Sequence, residues 1–90
     1  MKKSINFEEI SNLLKPLSHP HRLEIVIGLY HDECNVSRCQ KRMNLPQSTI
    51  SQHLRILKDA GIVKAHREGN KVCYTVVNDF IKKIIKIIED

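Results

Sequence analysis

The hydrophobic period of this 90-residue chain changes at Gly61 and changes back after Val77. Before Gly61, apolar side chains recur every three or four residues, the spacing that lines one face of an α-helix. After it come two short β-like runs and then a return to helical spacing. The first helix is expected over residues 6–17, with Phe7, Ile10, Leu14 and Leu17 on one face. Ser18-His19-Pro20 interrupts it, and Pro20 suits the first turn of a second helix over 20–31, whose stripe is Leu23, Val26, Ile27 and Tyr30. Asn35 is a good N-cap for a short third helix over 36–43. Asn44-Leu45-Pro46 breaks the chain before a fourth, over 47–60, with Ile50, Leu54 and Leu57 inward. Gly61 then stands where a left-handed residue ends a helix.

Residues 62–67 and 71–77 read as two strands joined by a turn at Glu68-Gly69-Asn70. In the second strand Val72, Tyr74 and Val76 share one face, which leaves Lys71, Cys73 and Thr75 facing outward. A last helix over 78–89 carries Ile81, Ile84, Ile85 and Ile88 on one face, with Phe80 and Ile87 beside it. The expected fold is mainly α with a small β-hairpin, in the order ααααββα. Residues 1–90 are expected to form one domain, and at this length a folded monomer is marginally stable. Six large apolar residues on the last helix exceed what one small core needs, so a second copy of the chain is the natural partner for the surplus.

The basic start Met1-Lys2-Lys3 leads into an amphipathic segment with Glu8 and Glu9, unlike a secretion signal. No run is long and apolar enough to span a membrane, and a cytoplasmic location is expected. The net charge is +5, and its placement matters more than its size. Between residues 38 and 71 lie Arg38, Lys41, Arg42, Arg55, Lys58, Lys64, Arg67 and Lys71 against Asp59 and Glu68, so this segment carries +6 and the remainder −1. Concentrated positive charge is the footprint expected of a nucleic-acid binder.

The same segment holds two short helices, a tight turn and a charged hairpin, the order of a winged helix-turn-helix, in which the second helix enters the major groove. The exposed face of that helix is expected to be Gln47, Ser48, Thr49, Ser51, Gln52, His53 and Arg55. Gln can pair bidentately with adenine and Arg with guanine, while Ser and Thr serve bases or phosphates. The helix N-terminus offers free N–H groups to a phosphate. In the wing, Arg67, Asn70 and Lys71 are the candidate contacts.

These residues also carry a resemblance. Pro20-His21-Arg22-Leu23-Glu24-Ile25, Leu45-Pro46-Gln47-Ser48-Thr49-Ile50-Ser51-Gln52-His53-Leu54, Leu57-Lys58-Asp59-Ala60-Gly61-Ile62-Val63 and the Gly69…Tyr74 wing are similar to the ArsR/SmtB regulators. The similarity runs over residues 10–88 and is nearest a branch without the usual metal ligands, which includes regulators of virulence genes. The resemblance implies a DNA-binding transcriptional repressor acting as a homodimer on an inverted repeat. It also implies base contacts at Ser48, Ser51 and Gln52, and a dimer built from the first and last helices. Phe7, Ile10, Leu14, Ile81, Ile84, Ile85 and Ile88 are the expected interface.

The family's sensor sites do not carry over. Thiolate sensors place Cys-x-Cys where this chain has Asn35 and Ser37, and zinc sensors use last-helix histidines that this chain lacks. No metal site and no cofactor are expected, and the sequence assigns no effector. His31, Cys34 and Cys39 are close in sequence, but their spacing is not diagnostic of a metal site. Three cysteines, an odd number, argue against a structural disulfide. Cys34, Cys39 and Cys73 are the candidates for a thiol switch, with Cys34 preceding a helix N-terminus. No catalytic constellation is legible, so an enzyme is not expected. The rival readings are a winged-helix protein–protein adaptor and a redox- or metal-responsive form of the repressor.

Overall fold

The computed structural model describes residues 4–90, so the basic start at residues 1–3 lies outside the described residues. Five helices and one hairpin follow one another as α1 (Phe7–Leu17), α2 (Pro20–His31), α3 (Val36–Met43), α4 (Gln47–Asp59), β1 (Val63–Glu68), β2 (Lys71–Val76) and α5 (Asp79–Glu89). The order is the expected ααααββα.

Local chemistry sets the boundaries. Asn6 caps α1 by accepting the Glu9 N–H at 3.0 Å, and Asn78 caps α5 by accepting that of Ile81 at 3.0 Å. His19 caps α2 with its ring, Nδ1 accepting the His21 N–H at 3.2 Å, while Pro20 fills the first helical position. At the end of α4, Gly61 takes φ 76°. There the Gly61 N–H reaches the Lys58 carbonyl and the Ile62 N–H reaches that of Leu57, both at 3.0 Å, the paired bonds of a Schellman motif. Ile62 is thereby turned fully into the core as the chain enters β1.

The strands are antiparallel, with Val63 opposite Val76 and Glu68 opposite Lys71. Gly69, at φ 63°, begins the two-residue turn between them. Ile25, Val26 and Leu29 of α2, Ile50, Leu54 and Leu57 of α4, Val63 and Val76 at the hairpin base, and Ile81 and Ile85 of α5 form the core. The hairpin tip projects from it, which is what makes the hairpin a wing.

Five expectations need correcting. Ile81 and Ile85, assigned to a dimer interface, are fully buried inside the monomer, because α5 folds its central stripe onto this core. Asn35 occupies the N-cap position of α3 but forms no cap bond: its backbone has ψ 13° instead of the extended value a capping residue needs. Its side chain packs towards α2, where Nδ2 lies 3.1 Å from the point a Cβ on Gly28 would occupy.

Cys73 does not face outward; it is wholly buried, while Val72 is 46% exposed. The cause is a third segment alongside the hairpin. The loop after α2 runs beside β2, the Tyr74 N–H donates to the Glu33 carbonyl at 2.8 Å, and the face carrying Cys73 is covered. That same loop brings Cys34 within disulfide range, and Cys34 and Cys73 are bonded with their Cα atoms 4.4 Å apart. The odd cysteine is Cys39, which is buried in the core. Burial pushes the Cys39 thiol pKa up, so it behaves as a small apolar side chain and leaves the redox set.

Candidate nucleic-acid interface

The turn from α3 to α4 is three residues long, and Asn44 holds it in the left-handed region at φ 52°. Asn tolerates this conformation better than most residues, so the second helix can leave at a steep angle from the first. Pro46 then starts α4: its carbonyl accepts the Thr49 and Ile50 N–H groups at 3.0 and 3.2 Å. The amides of Gln47 and Ser48 precede the first intrahelical partner, so they are free for an anion at this end.

Along α4, Ile50, Leu54 and Leu57 anchor the helix in the core while Gln47, Ser48, Ser51, Gln52 and Arg55 are exposed on the opposite side and Thr49 is half-buried. Arg67, Asn70 and Lys71 are exposed on the wing. A cleft lined by Ser37, Gln40, Gln47, Ser51 and Lys71 separates α3 and α4 from the wing strand. All eight bases of the segment 38–71 are solvent-exposed. Arg42 is held by Glu24 at 2.9 Å and Arg38 by Asp32 at 3.5 Å. Among the described residues, Arg55, Lys58, Lys64, Arg67 and Lys71 have no carboxylate partner, so their charge is available to a polyanion.

One expected contact is not on this surface. His53 is 7% exposed and lies on the core side of α4. Ile50, His53, Leu54 and Leu57 follow the i, i+3, i+4, i+7 rule of a buried stripe, and that spacing was the signal that placed it inward. The His53 ring packs 4.8 Å from that of His19 and 6.0 Å from that of His21. Its Nδ1 lies 3.4 Å from an Arg22 Nη1, and its Nε2 is buried without a partner. Burial, then the neighbouring His19, Arg22 and His21, lower its pKa, which favours the neutral imidazole. His31 and Cys34, which lie close to Cys39 in sequence, are also committed elsewhere: His31 Nε2 meets the Glu89 carboxylate at 2.7 Å and Cys34 is in the disulfide.

The sequence counts Arg38, Lys41 and Arg42 in the basic segment but assigns no DNA contact to α3; all three are exposed and extend the basic surface beyond α4. Their charge run was visible, but which side of α3 they occupy depends on how α3 packs against α2.

The chain matches the family model described as bacterial regulatory protein, arsR family, over residues 19–65. It is 38% identical to the transcriptional repressor PagR of Bacillus anthracis, across 93% of this chain and 85% of PagR. The crystal structure of PagR superposes with a TM-score of 0.78, covering 91% of this chain and 94% of that one. HlyU from Vibrio cholerae superposes with a TM-score of 0.84 at 32% identity, covering 99% of this chain and 95% of HlyU, a protein described as a transcriptional activator. The homodimeric winged helix-turn-helix DNA-binding domain Mb0332 of Mycobacterium bovis has the same fold, with a TM-score of 0.78 at 22% identity over 99% of this chain and 87% of that one.

Proposed function

We propose that this chain, which belongs to the arsR family of bacterial regulatory proteins, is a homodimeric, sequence-specific repressor of transcription that binds an inverted repeat in double-stranded DNA in the cytoplasm. The observation that carries the reading is the exposed face of α4, where Gln47, Ser48, Ser51, Gln52 and Arg55 stand clear of the core beside unpaired wing bases. In the proposed complex α4 lies in the major groove. Ser48, Ser51 and Gln52 read base edges, and Gln47, Thr49 and Arg55 serve bases or adjoining phosphates. Arg67, Asn70 and Lys71 hold the flanking backbone. His53 drops out of the contact set because the core takes it.

Two copies meet through the apolar surface that folding leaves exposed. Phe7 and Leu14 of α1 are 74% and 42% exposed, and Ile87 and Ile88 of α5 are 74% and 50% exposed. With Ile10, Ile84 and Phe80, these replace Ile81 and Ile85 in the proposed interface. Such a dimer presents its two α4 helices to half-sites about one helical turn apart. No helix among the described residues is long and apolar enough to cross a membrane.

The test is selection from random duplexes, followed by anisotropy titration of the selected site and a scrambled control at two salt concentrations. A palindrome bound tightly, selectively and with steep salt dependence is the expected result. Equal affinity for scrambled DNA after selection would favour the protein–protein adaptor.

A second reading rests on one observation: the Cys34–Cys73 bond ties the loop that precedes α3 to the wing strand β2. Cytosolic disulfides are mostly transient and redox-responsive. Two electrons and two protons from a cellular dithiol would convert the bond to two thiols and free the wing from that loop. The redox-responsive form of the repressor predicts different operator affinities in the oxidised and reduced chains, and equal affinities would discard it.

A further inference from the structure

Three of the five histidines, from two separate helices, meet in one place. His19 and His21 flank the start of α2, and His53 arrives from the middle of α4. One ring nitrogen from each lies within 4.8 Å of the others. We propose that His19, His21 and His53 form a binding site for one divalent transition-metal ion of the zinc type.

The His53 Nε2 is the first argument. It is buried without a hydrogen-bond partner, on a ring 7% exposed. An unsatisfied buried polar atom is costly to keep, and a metal ion would satisfy this one. The ligand chemistry is the second. Three imidazoles with no carboxylate among them suit Zn²⁺, Ni²⁺ or Cu²⁺ and offer nothing to Ca²⁺ or Mg²⁺.

The geometry needs only side-chain adjustment. Tetrahedral Zn–N bonds of about 2.0–2.1 Å set neighbouring ligand atoms about 3.4 Å apart, so the three rings must close by about 1.4 Å at most. His53 can ligate through Nε2 if its proton moves to Nδ1, which gives up only the long 3.4 Å contact from Arg22. The Arg22 Nε remains bonded to the Pro16 carbonyl at 2.9 Å. Among the described residues the His21 ring has no hydrogen-bond partner to lose, whereas His19 exchanges a 3.2 Å cap bond for the metal. His19 and His21 are half-exposed, so an ion has a route in and water can take a fourth position. The positive Arg22 beside His53 weakens the site without blocking it.

The consequence falls on α4. His53 adjoins Gln52, so an ion joining it to the start of α2 would fix the position of the reading helix against the core. Read one at a time along the sequence, these histidines indicate no such site.

The experiment is titration of the disulfide-intact chain with Zn²⁺ against a chromophoric chelator, with Co²⁺ replacing Zn²⁺ for its tetrahedral ligand-field spectrum. One equivalent bound, with the Co²⁺ spectrum of a nitrogen-ligated tetrahedral ion, is expected. His21→Gln and His19→Asn, the latter keeping a good N-cap, should each weaken binding at least about tenfold. His31→Gln and His66→Gln, the two remaining histidines, which contact carboxylates instead, should leave it unchanged. His53→Gln is expected to abolish binding; because that ring is buried, circular dichroism must show the variant folded. Absence of stoichiometric binding, or binding that survives both His21→Gln and His19→Asn, would overturn the proposal. No DNA enters the test, so its failure would leave the regulator reading standing.

Discussion

Helices α4 and α5 bury their inner sides in the same way and differ in what they show the solvent. Each carries an apolar stripe at helical spacing: Ile50, Leu54 and Leu57 on α4, and Ile81 and Ile85 on α5. On its outer side α4 presents amides, hydroxyls and Arg55, whereas α5 presents Phe80, Ile87 and Ile88, from 40% to 74% exposed. The inner stripes hold one core together and say little about function. Under the proposed function the two outer faces suit different partners: a polar, hydrogen-bonding face suits base edges, and an apolar one suits a second copy of the same surface.

The contrast can be broken by substitution, and the largest effect is expected within α5 itself. Ile85→Ala removes a fully buried side chain and should lower unfolding free energy by about 2–5 kcal/mol in chemical denaturation, whereas Ile87→Ala, 74% exposed, should cost less than about 0.5 kcal/mol in the monomer. Similar losses would mean that the inner and outer sides of α5 are wrongly assigned. Next comes association. Phe7→Asp with Ile88→Asp should give a monomer in sedimentation velocity and weaken operator binding about a hundredfold, or about 2.8 kcal/mol. A dimer that survives both charges must use another surface.

On α4 the expected losses are smaller and of a different kind. Gln52→Ala should cost about 1–3 kcal/mol on the selected site and almost nothing on scrambled DNA, which relaxes specificity. Arg67→Ala should weaken both and reduce the salt slope by about 1. Indistinguishable behaviour of the two would merge reading helix and wing into one undifferentiated basic surface. The smallest effect concerns the join between them. Gly61→Ala places a Cβ at φ 76°, where open space surrounds it, so backbone strain of roughly 1 kcal/mol should appear in stability while specificity is kept.

Element order and boundaries were legible because they rest on neighbours a few residues away. Pro20, Gly61 and the Gly69 turn act through backbone geometry that is encoded on the spot. The polar face of α4 was legible for the same reason, being whatever the stripe at Ile50, Leu54 and Leu57 leaves outside. His53 was misassigned by residue type, although its spacing from Ile50 already put it with the buried set. Polarity argued for solvent, and helical phase prevailed.

By itself, then, the sequence determined the secondary elements, their order, the family resemblance and the concentration of charge, all properties of contacts close along the chain or of composition. Tertiary structure alone decided which isoleucines of α5 lie inside, that the loop after α2 covers one face of β2, and that Cys34 meets Cys73 across a separation of 39 residues. It also decided that His53 joins His19 and His21 from another helix. These are long-range coincidences: they depend on how helices pack against one another, and the apolar period that specifies each helix leaves its neighbours unspecified.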